Sequence, residues 1–438
     1  MIPAQGEEVF TLRRNRCSRW PGIGVHVAPE WVFTLRRNRR SRWPGKRSAG
    51  VVETNTLVRP DEAVQRAFGR DCCAEQSTIS RTLTACQAQN VTQMREAVSN
   101  ILQRHSRSYH HGYLQSDLLL DVDMTGMPAG RQGEGSTKGY FAKRKNCRGR
   151  QLGRVLATDY DEIIVDCLYD GKRQLNRALS ELISQAGRVL ALDPAKRRAT
   201  IVRIDGGAGD DLNINWMLEQ GYHLLIKLTS WRRARNLSTQ VHDWFVDSKI
   251  ADRWVGWVEQ PIEFARPTRQ LLVRTPKNNG TWSYSVLVLT VSDAMTFRLA
   301  NRELPPAPTL EEQALAALHA YDRRGGGLET QNKSDKQGLA LTHRNKRKFV
   351  AQEMLVLLAQ LAHNFVIWAR NDLAEADPRL RKFGIQRTVR DALRIPGSVT
   401  LSESGQIKQI TLNGRHPLAA AVKTAFANDE LSLYLRKN

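Results

Sequence analysis

No apolar run in the 438-residue chain reaches the roughly 18 residues that a membrane helix needs. The longest, Met354 to Ala369, is interrupted by Gln360, His363 and Asn364 and reads as a buried helix. A secretory signal is not expected either: the first residues hold little apolar sequence and mix Glu7 and Glu8 with several arginines. Cysteine is sparse. The six, at 17, 72, 73, 86, 147 and 167, form neither a disulfide framework nor a C-x2-C zinc pattern. Reduced thiols in a cytoplasmic, nucleoid-associated protein are the expectation. Acidic residues are also in short supply, 44 Asp+Glu against 66 Lys+Arg, for a formal charge of +22. What is present is a globular composition, 41% hydrophobic, in a chain long enough for two or three domains of about 150 residues.

The positive excess points to a polyanionic partner, and its clustering favours double-stranded DNA over a merely basic surface. Eight Lys/Arg and one acid, Glu134, lie between Arg131 and Arg154. Four more, with no acid, run from Lys227 to Arg235 around Trp231. Candidate phosphate contacts in these patches are Arg144, Lys145, Arg148, Arg232 and Arg233. A third basic stretch is Arg344 to Lys348.

Residues 1–56 form a separate arm. VFTLRRNRCSRWPG at Val9 to Gly22 recurs at Val32 to Gly45 with one change, Cys17 against Arg40. Two copies are too few for a solenoid, so the arm is expected to be disordered; a DNA arm using Trp20 and Trp43 is the alternative. Residues 57–112 read as a helical DNA-binding region. Ser77 or Thr78 there caps a helix presenting Arg81 and Thr82, either a helix-turn-helix or plain helical packing.

Residues 113–229 alternate between strand and helix patterns. Strands are expected at Leu118–Met124, Gln151–Thr158, Glu162–Leu168, Ala199–Ile204 and Tyr222–Leu228, with helices at Gln174–Leu192 and Leu212–Gln220. Three strands, helix, strand, helix, strand fit a mixed α/β sheet of the ribonuclease H kind, opened by an antiparallel meander. Residues 230–304, with five of the ten tryptophans, read as a β-rich insertion. Residues 305–390 return to helices, and 391–438 form an accessory segment with a hairpin signal and a final helix.

Two aspartates stand at predicted strand ends. Asp123 follows Asp121 by two residues, so both face one side of a strand. Asp205 precedes Gly206-Gly207, where an aspartate is also the ordinary turn residue. Carboxylates in an apolar strand are costly unless paired or bound to a cation. Magnesium takes such oxygen ligands, and a pair of such ions can clamp a phosphodiester.

Four blocks carry a resemblance: LDVDMTG (120–126), GSTKGYFAKRKNCRGRQLG (135–153), RIDGGAGDD (203–211) and YDRRGGGLETQNKSDKQG (321–338). Together they resemble the DDE transposases of bacterial insertion sequences, in the group with a Tyr-x2-Arg-x3-Glu-x6-Lys signature. The last block follows that signature except that four residues, not three, separate Arg324 from Glu329. The resemblance implies that Asp123, Asp205 and Glu329 are the catalytic, metal-binding acids. It implies Mg²⁺ as cofactor, with Mn²⁺ able to substitute. Tyr321, Arg324 and Lys336 would contact element-end phosphates, and a homodimer would work on the DNA. Glu353, in an apolar helix, is the alternative third acid. The activity implied is cutting of element ends and joining of the 3′-hydroxyls to target DNA. A nuclease of the same fold, or a DNA-binding relic, are the alternatives.

Overall fold

The computed structural model describes residues 55, 58–62, 65, 70–139, 141, 147–339, 341, 345–402, 407–425 and 432–436. The duplicated arm apart from residue 55, together with Arg144 and Lys145, lies outside the described residues. The chain divides into two units: residues 84–368 with 384–386, and residues 1–83 with 369–383 and 387–438.

A mixed sheet of ten strands, counted among the described residues, organises the larger unit. Its strands are β1 (Leu118–Pro128), β2 (Thr137–Lys138), β3 (Arg148–Ala157), β4 (Glu162–Asp170), β5 (Thr200–Ile204), β6 (His223–Lys227), β7 (Phe245–Val246), β8 (Trp254–Trp257), β9 (Arg269–Pro276) and β10 (Trp282–Leu289). Their order is β2-β3-β1-β5-β6-β10-β9-β8-β7, with β4 also pairing β3. β1, β5 and β6 run parallel, while β3 is antiparallel to β1 and β4, and β10 is antiparallel to β6.

The near-continuous apolar run of β1 follows from burial on both faces. Leu118, Leu120 and Val122 join one core with Val202, Ile204 and the helix α3 (Leu175–Val189), and Leu119 joins another with Ile201 and Leu225. The first core also takes Ile214, Met217 and Leu218 of α4 (Asp211–Glu219), a helix capped by Asp210 through Asn213 N–H at 3.0 Å. After β6 comes α5 (Trp231–Leu237), capped by Ser230. The second core is closed by α6 (Asp293–Ala300) and α7 (Leu310–Asp322), the latter opened by a Thr309–Glu312 capping box.

Gly325–Glu329 then form a single π-helical turn leading into α8 (Thr330–Gly338). A π turn is how a helix absorbs one extra residue. The four-residue spacing between Arg324 and Glu329 therefore has a local structural counterpart.

The long apolar run is the helix α9 (Phe349–Ala376), longer than the sequence pattern suggests and long and apolar enough by those criteria to cross a membrane. Two of its three polar interruptions bind the edge strand β4. Gln360 donates to the Ile163 and Ile164 carbonyls, and Asn364 both accepts from Ile163 N–H and donates to its carbonyl, at 2.9 Å each. Edge strands need such cover. In the N-terminal region, after the helix α1 (Gln76–Ala85), the helix α2 (Ala88–His105) lays Val91, Val98 and Leu102 against Leu357, Leu361 and Trp368 of α9.

A buried ion network fixes α8. Arg154 donates to Asp166 at 2.8 Å and to Asp335 at 2.6 Å, and Asp335 accepts from His363 Nδ1 at 2.8 Å. Two residues of the basic stretch 131–154 are thereby withdrawn from the surface. Arg154 is paired in the core, and Arg150 is buried on the carbonyls of Glu134, Lys346 and Arg347.

The smaller unit holds a separate three-stranded sheet, β11 (Gly397–Leu401), β12 (Ile407–Asn413) and β13 (Ser432–Arg436), with a helix Ala419–Ala425. Its core includes Leu373, Leu380, Phe383, Leu412 and Val422.

Candidate active site

The parallel pairing of β1 with β5 ends at Val122–Ile204. Asp123 and Asp205 are the next residues along the two chains, where the parallel pairing stops and open α/β sheets form their crevices; Asp205 lies directly after β5. β1 itself continues to Pro128 because β3 keeps pairing with it. Asp123 is thus inside a strand rather than at its end.

The guanidinium of Arg324 stands between the two acids. Nη2 is 3.6 Å from Asp123 Oδ1 and Nη1 is 3.9 Å from Asp205 Oδ2. The Arg324 side chain is only 7% exposed, and its Nε–H has no acceptor among the described residues. The acids differ in setting. Asp123 is 20% exposed and accepts from Met124 N–H at 2.8 Å. Asp205 is 47% exposed, and its Oδ1 accepts from Gly207 N–H at 3.0 Å, so it closes the turn as well.

Burial pushes the Asp123 carboxyl up to about 6. Arg324 opposes that shift, and the nearby Asp205 and Glu329 add to it. Glu329, at the end of the π turn, lines one cleft of about 340 Å³ with Asp123, Thr125, Asn332, Lys333, Lys336 and Gln337. Lys336 Nζ donates to Thr125 Oγ1. Tyr321 lies near Arg324, Asp205 and Arg203, and burial raises its phenol, keeping it neutral.

Asp121 is not part of this group. It is fully buried and takes a bidentate bond from Arg203 at 2.6 and 2.7 Å, while Arg203 also donates to the Ala320 carbonyl at the end of α7. Glu353 is equally committed, to Arg95 at 2.5 Å. Neither alternative acid reaches the cleft lining. Of the basic candidates, Arg148 donates to the Ser136 carbonyl at 3.3 Å, and Arg233 is paired with Asp211. Arg232 is exposed beside Trp231.

Sequence reasoning missed Lys333 and Asn332. They follow Glu329 by four and three residues, the spacing that puts side chains on one helical face. The pattern was available once Glu329 was chosen.

The transposase DDE domain matches residues 114–365, more than half of the sequence. The chain belongs to this family. The matched span of the DDE transposase contains Asp123, Asp205, Glu329, Arg324 and Lys336. A cryo-EM structure of a piggyBac transposase synaptic complex with hairpin DNA is similar at 11% identity and a TM-score of 0.34, over 71% of this chain and 67% of that one. No curated protein matches the sequence.

The cleft has the donor chemistry of a divalent-cation site. Its lining offers two carboxylates, Asp123 and Glu329, and the buried Asn332 Oδ1 accepts no hydrogen bond among the described residues, while Asp205 stands outside the lining, on the far side of the Arg324 guanidinium. Hard oxygen donors of this kind suit Mg²⁺ or Mn²⁺. Among the described residues, no three acid, His or Cys side chains are gathered tightly enough to ligate one ion. Arg324 occupies the space between the aspartates and acts as their counter-ion.

Proposed function

We propose that this DDE transposase cuts DNA at the ends of its own insertion sequence and joins the freed 3′-hydroxyls to target DNA, with Asp123, Asp205 and Glu329 as the catalytic acids and Mg²⁺ as cofactor. One observation carries the reading. Acids 82 and 124 residues apart in sequence are brought together, and Asp205, after β5, and Glu329, before α8, stand close enough for their charges to raise the pKa of Asp123 on β1. The order β4-β3-β1-β5-β6, with the first three strands antiparallel and the last three parallel, supports a ribonuclease H-like core. In that reading β7 to β10 are an insertion, 57–112 a DNA-binding region and 391–438 an accessory segment.

The chain's own groups have separate tasks. Asp123, Asp205 and Glu329 would hold the cation, with Asn332 Oδ1 as a neutral oxygen beside them. A bound divalent cation supplies Lewis-acid stabilisation of the phosphodiester and lowers the pKa of water. Lys336 and Lys333 border the cleft as phosphate contacts, and Thr125 orients the Lys336 ammonium. Arg324, its Nε–H unused, neutralises the acids until another cation takes their charge. Holding the freed 3′-hydroxyl in place removes much of the entropic barrier to joining. Two ends handled together imply a homodimer, and the site of action is the nucleoid.

The test is strand transfer with a labelled duplex carrying the inverted repeat that flanks the reading frame, in Mg²⁺ or Mn²⁺. Joined product is expected. Cutting without joining would reassign the chain as a nuclease, and binding without cutting as a relic. Asp205→Asn should abolish cutting and leave binding within about twofold, since that residue makes no phosphate contact in this account.

A further inference from the structure

Trp231 opens α5 with 64% of its surface exposed, an unusual placement for the largest apolar side chain. Single exposed hydrophobics are common and by themselves mean little. This one follows a segment that is held against the loop after Asp205. Thr229, two residues earlier, donates its N–H to the Gly209 carbonyl at 3.0 Å and its hydroxyl to the Gly206 carbonyl at 2.7 Å. Gly206 follows Asp205 directly. The approach needs glycine: a Cβ on Gly209 would stand 2.0 Å from the Lys227 carbonyl oxygen. A second exposed apolar side chain, Leu212, stands in the first turn of α4, and the Asp211–Arg233 ion pair joins that turn to the first turn of α5.

The surroundings are cationic. Lys227 to Arg235 contains four basic residues and no acid, and the Arg232 guanidinium lies 5.6 Å from the Trp231 ring centroid. A flat aromatic face beside cations suits a nucleobase next to its phosphate. Every base has a π-face, and stacking on aromatic side chains is a general mode of binding unpaired strands.

We propose that Trp231 is a positioning residue that stacks on an unpaired base of the DNA strand led to Asp205, with Arg232 holding the adjoining phosphate. The proposal rests on the DNA-cutting reading for the location of the strand, but its test reads binding and needs no cutting.

The probes are a short blunt duplex of mixed sequence and the same duplex frayed at one end by mismatches, each fluorescein-labelled and titrated by anisotropy with the full chain. The wild type should prefer the frayed duplex by about tenfold. Trp231→Ala should bring the two affinities to within about twofold, leave blunt-duplex binding unchanged, and leave the melting temperature unchanged because the ring is exposed. Trp231→Phe should keep most of the preference. Arg232→Ala should weaken both complexes and reduce the salt slope by about one. A preference that survives Trp231→Ala, or an equal loss on both duplexes, overturns the proposal. A chain that shows the preference and never cuts its element ends would defeat the transposase reading and leave this one standing.

Discussion

Asp123 titrates at about 6 in the folded protein against an ordinary 3.8, with burial as the main cause. Between those values the folded chain binds the proton more tightly than the unfolded one, so stability falls as pH rises from about 4 through 6. Asp123→Asn should therefore stabilise the protein at neutral pH by up to about 3 kcal/mol, the equivalent of two pKa units. Urea denaturation at pH 7.5 and pH 4 checks this, and the gain should vanish at the lower pH. The same protonation should weaken Mn²⁺ binding as pH drops through about 6. Arg324→Gln removes the charge that now stands between the aspartates. It should tighten Mn²⁺ binding by the DNA-free protein on the order of tenfold, read by electron paramagnetic resonance. Unchanged binding would mean that Arg324 does not compete with the ion. Not all of this was legible beforehand. The motifs single out Asp123, Asp205 and Glu329 as candidates, and the structure brings the charges of the last two to bear on the first. The pairing of Asp121 with Arg203 was not legible, because the two partners lie on different strands and residue type alone does not separate a buried counter-ion from a catalytic acid.

The helix pair α8 and α9 shows where patterns run out. Periodicity gave α9 as a buried helix, and its three polar residues looked like interruptions. Gln360 and Asn364 satisfy backbone groups of β4, while His363 bonds Asp335 and the Asp161 carbonyl, and no one-dimensional pattern records which partner a side chain will meet. The lysines of α8 are held toward the cleft by Asp335, which is tied to Arg154 and His363. Arg154→Met should cost about 3–5 kcal/mol, since it leaves Asp166 and Asp335 buried without their shared cation. Thermal or chemical denaturation measures it. A loss below about 1 kcal/mol would show that the network is replaceable. The π turn before α8 was foreshadowed only as a spacing mismatch between Arg324 and Glu329.

The charge of +22 was read from composition as a set of DNA-facing patches, and that reading overcounts. Arg150, Arg154 and Arg203 are buried in structural roles, so the phosphate-binding surface is smaller than the sum suggests. The family match begins at residue 114, well beyond the duplicated arm. A chain beginning at residue 51 should accordingly keep element-end cutting, and loss of cutting would make the arm part of the machinery. The account depends most on one shared cation. A crystal of the DNA-bound protein soaked in Mn²⁺ should give an anomalous peak bounded by the carboxylates of Asp123, Asp205 and Glu329. A peak elsewhere, or Asp123 and Asp205 still bridged by Arg324 with no ion beside them, would contradict it.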